Sequence, residues 1–291
     1  MPDVLIASCA AAAGLDEDEP LLLAALAAAG VSAAPADWAD PAVDWAAATA
    51  VVVRSTWDYA PRRDEFLAWA RRVEAVTRLA NPAGVLTWNT DKRYLRELAG
   101  AGVPEVPTAW AEGPDDVAAA LERWPGDVVV KPVVSAGARD TARFAPADRD
   151  GARALAGTVL AGGRAVMVQP YLGRLDAEGE TGLVYVDGAF SHAFGKGALL
   201  AGAALGEGLY AEEEITARTA TADQRRLGDR VLAWVGERTG GAPLYCRVDL
   251  VPGDDGTPQV IEVELTEPSL FLTTADGAAD RFAAAVTARI G

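Results

Sequence analysis

Four charged side chains stand at alternate positions on two consecutive predicted strands near the end of the chain. Arg247 and Asp249 are two residues apart, and so are Glu262 and Glu264, so each pair shares one face of a sheet. With the turn centred near Asp255, Asp249 lies opposite Glu262, and Arg247 lies opposite Glu264. The apolar residues between them then fill the other face.

Three carboxylates on one face of a hairpin repel one another unless a cation lies among them. Mg²⁺ takes oxygen ligands and is typically held by one or two carboxylates together with phosphate oxygens. The hairpin therefore indicates a magnesium site for a phosphate-bearing ligand. The same alternation is also typical of a half-exposed hairpin with solvated charges, and a shift of one residue in register would separate the pairs.

Lysine is rare in this chain. Of its 26 basic residues, only Lys92, Lys131 and Lys196 are lysines. Where most cations are arginine, a lysine indicates a need for a compact ammonium, and binding a phosphate oxygen as a point charge is such a task. Lys131 ends an apolar strand, Lys196 lies between two glycines, and Lys92 opens a predicted helix. Each alone is equally typical of an ordinary surface lysine, whereas the three together favour phosphate binding.

Two further segments are candidates for contact with a nucleotide. Residues 134–138 follow the strand that ends at Lys131, and a loop of such small residues can close over phosphates with its backbone N–H groups. A plain turn is the alternative. In residues 169–172, a strand ends at a proline and leaves backbone groups that could read the edge of a base, although this segment alone is unremarkable.

Strands and helices must bring these residues together, and the order of apolar runs predicts an α/β protein. Residues 4–7 and 49–54 read as buried strands, and residues 16–30 and 64–79 read as helices. This alternation predicts a small parallel sheet up to about residue 90. Further helices are predicted over residues 91–101, 222–236 and 276–290. Further strands are predicted over residues 128–131, 166–169, 183–186, 189–194, 244–251 and 259–265, with a linker over 103–107.

Length, charge and cysteine content limit the kinds of protein this can be. The chain has 291 residues, of which 51% are hydrophobic, enough for two or three packed subdomains. Its net charge of −16 repels phosphodiesters and anionic lipid, which argues against nucleic-acid and membrane partners. Cys9 and Cys246 form no metal or disulfide pattern, so we expect a cytoplasmic protein. The oligomeric state, monomer or homodimer, stays open.

Taken in order, the motifs resemble the ATP-grasp fold. They are Asp91-Lys92, Val130-Lys131-Pro132, Val168-Gln169-Pro170-Tyr171, Arg247-Val248-Asp249-Leu250 and Glu262-Val263-Glu264. They are most similar to the branch that contains glutathione synthetase and the ribosomal-protein S6 glutamate ligase, from about residue 88 to the end. The resemblance implies a Rossmann-like domain over residues 1–90, which precedes the ATP-grasp domain. It also implies a central subdomain over 91–172, and a carboxy-terminal subdomain with the metal site over 173–291.

The resemblance implies a role for each matching residue. Lys92 and Lys131 would hold the ATP phosphates; the other nucleotide contacts would be Gln169, Tyr171 and Leu172 on the adenine and Glu180 on the ribose, with Asp176 as a rival. The metal ligands would be Asp249, Glu262 and Glu264, with two Mg²⁺ ions, for which Mn²⁺ is a substitute. Arg247, Lys196 and Lys131 would stabilise the transferred phosphoryl group and the oxyanion. Glu264 is a departure, because the branch usually has asparagine at this position.

A closer resemblance extends into the amino-terminal domain. Residues 54–57, 190–193, 196–200 and 267–270 are similar to the O-ureidoserine cyclo-ligases of cycloserine biosynthesis. In this interpretation, Arg54, Ser55 and Trp57 belong to the wall of the substrate pocket, and Arg54 binds a substrate carboxylate at a strand end. A surface or helix-capping arginine and a packing cluster are the alternatives. His192 is interpreted as a packed residue more readily than as a general base.

The resemblance implies an ATP-dependent carboxylate–amine ligase that works through an acyl phosphate and releases ADP and phosphate. Its substrate would be an amino acid or a similar small molecule, joined to a second molecule or cyclised on itself. Because acyl phosphates hydrolyse, a lid is expected, and residues 201–210 are the candidate. The run at residues 212–214 is either solvated or a flap over ATP. An ATP-grasp small-molecule kinase and a non-catalytic nucleotide-binding regulatory module are the alternative functions.

Overall fold

A computed structural model describes residues 2–198, 200 and 214–291. The described strands are β1 (Val4–Ser8), β2 (Ala33–Asp37), β3 (Ala50–Val53), β4 (Arg78–Ala80), β5 (Ala109–Ala111), β6 (Val128–Pro132), β7 (Ala142–Phe144), β8 (Val166–Pro170), β9 (Glu180–Val186), β10 (Ala189–Lys196), β11 (Ile215–Arg218), β12 (Tyr245–Pro252) and β13 (Pro258–Glu264). The described α-helices are α1 (Asp18–Ala28), α2 (Arg63–Glu74), α3 (Ala83–Asn89), α4 (Tyr94–Gly100), α5 (Pro114–Arg123), α6 (Arg149–Ala161), α7 (Leu175–Glu178), α8 (Ala222–Thr239) and α9 (Ala278–Ile290).

The first sheet is parallel, in the order β2-β1-β3-β4. Alternate side chains of β1 point to opposite faces. Val4 and Ile6 pack on the side of α1 and α9, and Leu5 and Ala7 pack on the side of α2 and α3. Both faces are therefore covered, as parallel sheets require, and the predicted Rossmann-like arrangement is confirmed.

The second and third sheets are antiparallel. The order of the second is β5-β8-β6-β7, with α5 and α6 packed on it. The order of the third is β11-β10-β9-β12-β13, with α8 against one face. The other face of this sheet holds the charged hairpin of β12 and β13.

Two buried asparagines fix the third sheet to the segment between the first two. The side-chain amide of Asn81 donates to the carbonyls of Tyr245 and Leu265, at 3.0 and 2.8 Å. Asn89 donates to the carbonyl of Val263 at 2.7 Å and accepts from the N–H of Leu265 at 2.8 Å. Each amide satisfies backbone groups that burial would otherwise leave unpaired. These hydrogen bonds anchor the strands of the charged hairpin to the segment that carries Asn81 and Asn89.

Several sequence predictions are wrong in detail. The helix predicted over residues 64–79 ends at Glu74; Val76, expected on its apolar face, is 57% exposed, and the following residues form β4. The helix predicted from residue 91 begins at Tyr94, so Lys92 precedes it. The linker is paired, since Val106 N–H donates to Val260 O and Val260 N–H to Pro104 O, both at 3.0 Å.

Two expectations concern parts of the chain with little structural description. The predicted lid at residues 201–210 lies outside the described residues, and so do two of the three acids of the 212–214 run.

Among the described helices, none is long and apolar enough to cross a membrane.

Candidate functional site

A cavity of about 870 Å³ lies where the three sheets meet. Its volume is near the upper end of the range for small-molecule sites, which suits a nucleotide together with a second small ligand. The residues predicted for the site that line this cavity are Trp57, Lys92, Lys131, Gln169, Tyr171, Leu172, Glu180, Lys196, Arg247, Asp249, Glu262 and Glu264. Residues that are up to 207 positions apart in the sequence therefore line one cavity.

The predicted register of the charged hairpin is confirmed. Asp249 pairs with Glu262 and Arg247 pairs with Glu264 across β12 and β13. The apolar residues between them are buried on the opposite face. A bulge follows Asp249, and the strands stay paired beyond it with their register shifted by one residue.

Arg247 is the central cation of the hairpin. Its guanidinium makes a two-pronged contact with Asp249, with nitrogen–oxygen distances of 2.9 and 2.7 Å, and it also donates to Glu264. A third nitrogen donates to the carbonyl of Ser269 at 2.9 Å. Such fork geometry fixes the planes of the carboxylates, so Arg247 orients Asp249 and Glu264 before any ligand binds.

Two of the three lysines pair with the acids of this face. Lys92 Nζ lies 2.7 Å from a carboxylate oxygen of Glu262. Lys196 Nζ lies 3.5 Å from Glu180 and 3.6 Å from Asp249. The repulsion expected among the carboxylates is therefore partly offset in the free protein, because arginine and lysine charges lie among them.

No three acidic, histidine or cysteine side chains of the described chain approach closely enough to form a ready-made metal cluster. The cations that separate Asp249, Glu262 and Glu264 account for this. The three donors are all carboxylates, they share one face, and they line the cavity. This donor set fits Mg²⁺, which keeps few protein ligands and takes its remaining oxygens from phosphates and water.

Burial and charge shift the pKa values of groups in the cavity. Burial raises the pKa of Glu264 to about 7, with Arg247 opposing the shift and Glu262 adding to it. Burial lowers the pKa of Lys131 to about 8, with Glu262 opposing and Lys92 adding to it. Perturbed groups of this kind are concentrated at functional sites because such sites are dry and charged.

The small-residue loop after β6 adopts an unusual backbone. Gly137, Ala138 and Asp140 all have positive φ, at 62°, 56° and 56°. The carboxylate of Asp140 pairs with Arg164 at 2.5 Å, which ties the loop to the segment before β8. Gly137 and Ala138 line the cavity, so their backbone faces the same space as the lysines.

The segment at residues 169–172 lines the far end of the cavity. The side-chain amide of Gln169 donates to the hydroxyl of Thr108 at 2.8 Å. Tyr171 N–H donates to the carbonyl of Asp127 at 2.9 Å, so this N–H is not available to a base. The Leu172 N–H makes no hydrogen bond within the described chain, and it is the donor that an adenine edge can use.

The two candidates for a ribose contact lie in different surroundings. Glu180 lines the cavity beside Lys196. Asp176 accepts a hydrogen bond from Tyr171 Oη and pairs with Arg143 at 3.2 Å. Because Asp176 is not among the described cavity residues, the geometry favours Glu180.

The structure corrects the predictions for Arg54 and Ser55. Both are buried, Arg54 with 2% exposure, and neither lines the cavity that the described residues form. Arg54 pairs instead with Asp18 at 3.5 Å and lies over the rings of Tyr245 and Phe282. The side chain of Arg54 therefore contacts core rings and Asp18, and it is Asp18 that lines the cavity.

Asp18 was missed by sequence reasoning. It lines the cavity that Arg54 was expected to line. Its carboxylate accepts from the backbone N–H groups of residues 270, 271 and 272, at 2.6, 3.0 and 2.7 Å. These bonds fix the segment that carries Phe271, whose φ is 49°. Phe271 and Ser269 line the cavity, so the Asp18–Arg54 pair shapes one of its walls.

Asp18→Asn is expected to lower the free energy of unfolding by about 3–5 kcal/mol, because it leaves the buried Arg54 without its partner. It also leaves one accepting oxygen in place of the two that the three backbone N–H groups share. Denaturant unfolding measures this effect. The control is Glu19→Gln, which changes an acid on the same helix that bonds no such backbone within the described chain. Equal destabilisation by the two variants would contradict the assignment.

Arg54→Ala should raise the Michaelis constant for the small substrate more than that for ATP. The effect is indirect, because Arg54 pairs with Asp18 and Asp18 fixes the segment that forms one wall of the cavity. Equal effects on both constants would remove Arg54 from this role.

The only histidine of the chain lies outside the site. His192 Nε2 lies 2.8 Å from the carbonyl of Leu270, to which it donates. Its Nδ1 accepts from Ser191 Oγ at 2.9 Å, and that oxygen accepts from Arg281. These contacts are compatible with the neutral ring, and burial together with Arg281 lowers the pKa of His192 below 6.5.

His192 should therefore make stability depend on pH. The unfolded chain takes up the proton near pH 6.5 while the folded ring stays neutral, so the free energy of unfolding falls as the pH drops below that value. Because there is one histidine, its imidazole resonance reports the folded pKa directly. His192→Gln should remove this part of the pH dependence. A resonance that titrates at or above 6.5 would contradict the assignment.

Comparisons with known proteins agree with this geometry. The family model for the amino-terminal domain of the D-cycloserine synthetase DcsG matches residues 4–81. The chain is 41% identical to the cycloserine biosynthesis protein DcsG of Streptomyces lavendulae, with 95% of each chain covered.

Solved structures give the same result. The crystal structure of the D-cycloserine synthetase DcsG is 38% identical, with a TM-score of 0.91 and 99% of each chain covered. A RimK-domain ATP-grasp protein from Sphaerobacter thermophilus is 22% identical, with a TM-score of 0.69, and the match covers 96% of this chain and 98% of that one. The second likeness supports the ATP-grasp fold alone.

Proposed function

The chain belongs to the DcsG family of cycloserine synthetases within the ATP-grasp ligases, and from this premise we propose that it closes the amide ring of a cycloserine-type product from O-ureidoserine. ATP would activate the carboxylate as an acyl phosphate. A nitrogen of the same molecule would then displace phosphate. The whole-length similarity to a cycloserine biosynthesis protein and to a D-cycloserine synthetase supports a cycloserine-type product.

The single observation that carries the proposal is the charge arrangement of the cavity. Three carboxylates on one hairpin face lie beside two lysines and an arginine. A polyphosphate with a divalent cation is complementary to this mixture, because the cation meets the acids while the phosphate oxygens meet the ammonium groups.

We assign the residues accordingly. Lys92 and Lys131 hold the phosphates, and the ribose hydroxyls contact Glu180. The adenine contacts Gln169 and, through backbone groups, Tyr171 and Leu172. Asp249, Glu262 and Glu264 would hold two Mg²⁺ ions, for which Mn²⁺ would substitute. When bound, the metal would supply positive charge for the phosphate oxygens.

The protein's own contribution is position and charge. The substrate carboxylate attacks the γ-phosphorus, and Lys131 and Arg247 offset the charge of the phosphoryl group as it moves. Lys196 and Arg247 then stabilise the oxyanion that forms when nitrogen attacks. Trp57 stays in the assignment as part of the wall beside the substrate, where its ring N–H donates to Glu267 O at 3.2 Å.

We also propose domain boundaries near residues 90 and 172. They would separate the substrate domain, which contains the first sheet, from the central subdomain with the second sheet and the carboxy-terminal subdomain with the third. We place the protein in the cytoplasm, without nucleic-acid or membrane partners. Light scattering in solution decides between the monomer and the homodimer.

The deciding experiment measures ADP release over O-ureidoserine, other ureido amino acids and amino-acid pairs, with mass detection of the product. We expect ADP release with O-ureidoserine and a cyclic product. A phosphorylated product without an amide would instead indicate a kinase. Nucleotide binding without ADP release on every substrate would indicate a regulatory module.

A further inference from the structure

Glu267 occupies a distinctive place in the cavity. It follows Glu264, the last residue of the charged hairpin, by three residues. Its side chain lines the cavity together with Trp57 and Tyr59. The Trp57 ring N–H donates to its carbonyl, and the next residue is a buried proline. The backbone that carries Glu267 is therefore held in place.

Within the described chain, the carboxylate of Glu267 differs from five other acids of the cavity in having no ion-pair partner. Those five each have a cation: Glu262 has Lys92, Glu264 and Asp249 have Arg247, Glu180 has Lys196, and Asp18 has Arg54. Glu267 makes no ion pair, and its carboxylate makes no hydrogen bond, within the described chain. An acid kept without a cation inside a ligand cavity is free to receive a proton or a positively charged group from the ligand.

The environment of Glu267 suits proton transfer near neutral pH. Burial raises the pKa of Glu267 to about 8, and Glu264 adds to the shift. A base with a pKa close to the working pH is the most efficient one. Tyr59, on the same wall, is unsuitable because burial raises the pKa of its hydroxyl well above 10.0. The single histidine lies outside the cavity and bonds the carbonyl of Leu270.

We propose that Glu267 is the catalytic base that takes the proton from the nitrogen that closes the amide bond. This inference rests on the proposed function. It assigns a residue to the second half of the reaction, whereas the hairpin and the lysines serve the first half.

In O-ureidoserine, the N–H nitrogen bonded to oxygen forms a bond to the carbonyl carbon of the acyl phosphate, and its proton passes to a carboxylate oxygen of Glu267. The carbon–oxygen bond to the phosphoryl group then breaks, and phosphate leaves with the electron pair. The carbamoyl group stays on the ring nitrogen in this step. A nitrogen that bears an acyl group is a weak nucleophile until it loses its proton, so a base is needed here.

Glu267→Gln tests the proposal, because glutamine keeps the shape and cannot accept the proton. Ring closure should fall by about 10²–10⁴-fold. Acyl phosphate formation should continue, and neutral hydroxylamine, which needs no base, should trap it as the hydroxamate at close to the wild-type rate. Loss of both ring and hydroxamate would overturn the proposal and move Glu267 to the phosphorylation step. Ring closure at the wild-type rate would also overturn it.

A second variant makes the test independent of the first. Glu267→Ala leaves space for a small base, so added formate should restore ring closure in proportion to its concentration, while chloride at equal ionic strength should not. Equal responses to formate and chloride would count against the proposal. If the wild-type protein forms neither ADP nor hydroxamate with O-ureidoserine, the proposed function fails, and that outcome is distinct from a failure specific to the Glu267 variants.

Discussion

Lys131→Arg should lose about as much turnover as Lys131→Ala, with both reduced by about 10²–10³-fold, the usual cost of removing one preorganised donor to developing charge. An arginine keeps the positive charge, so the comparison separates charge from shape. Steady-state ADP release under saturating ATP measures the loss. Melting curves and circular dichroism establish that the variants remain folded.

The position of Lys131 gives the physical reason. Its side chain is 7% exposed at the end of β6, and it forms no ion pair within the described chain, whereas Lys92 and Lys196 pair with acids. A compact ammonium suits such a buried position, and a planar guanidinium with five fixed donors does not. Near-normal turnover of the arginine variant would remove Lys131 from the phosphate site.

The hairpin could be predicted from the sequence because its information is local. Two strands with strict alternation are joined by a turn whose glycine and aspartates mark its centre, and this brings the two charged faces together. The exact pairing of Asp249 with Glu262 also depends on the bulge between Asp249 and Leu250, which shifts the register by one residue and which the sequence pattern does not predict. The same local logic identified β1, β3, β6, β8 and the closing helix.

Arg54 could not be placed correctly because its partner is distant in sequence and its environment is tertiary. A strand end is consistent with a ligand contact or with a buried ion pair, and only packing against Asp18, Tyr245 and Phe282 decides between them. Asp18 itself looked like an acid at a helix start, which is ordinary. Its three backbone bonds connect residues more than 250 positions apart in the chain.

Some elements carried little sequence signal. The strand β2 consists of alanines, a proline and an aspartate, and β5 and β7 have three residues each, too short for a period to appear. Glu267 was missed as a site residue because it lies outside any strand or helix. Its motif was noticed by resemblance, but its lack of a partner is visible only in three dimensions.

The charge balance of the site also had to be seen in the structure. The sequence predicts acids that converge, and cations that bind phosphate, without saying that the two groups pair in the free protein. In the structure, Lys92 lies on Glu262 and Arg247 lies between Asp249 and Glu264. On the proposed assignment, nucleotide binding would exchange these partners: Lys92 would move part of its interaction from Glu262 to phosphate, and the metal would contact Glu262.

Glu262→Gln should abolish nearly all turnover and the magnesium-dependent part of stabilisation by ATP. In the wild-type protein, ATP with Mg²⁺ should raise the melting temperature, since a ligand at a hundredfold excess over its dissociation constant adds about 2.7 kcal/mol to stability. Mg²⁺ alone should do little, because Lys92 already satisfies Glu262 and because Mg²⁺ depends on phosphate oxygens. Thermal melts with ATP, with Mg²⁺, and with both measure each contribution.

The matched control is Asp255→Asn, the same carboxylate-to-amide change in the exposed turn of the same hairpin. It should keep turnover and the full shift, because among the described residues the Asp255 side chain accepts hydrogen bonds from Thr257 of its own turn and contacts no residue of the cavity. In Glu262→Gln, the loss of Lys92's partner lowers the melting temperature before ligand is added, so the comparison must use the shift and not the absolute temperature. A Glu262→Gln protein that keeps both turnover and the magnesium-dependent shift would show that the hairpin does not hold the metal, and the assignment of the whole acidic face would fall with it.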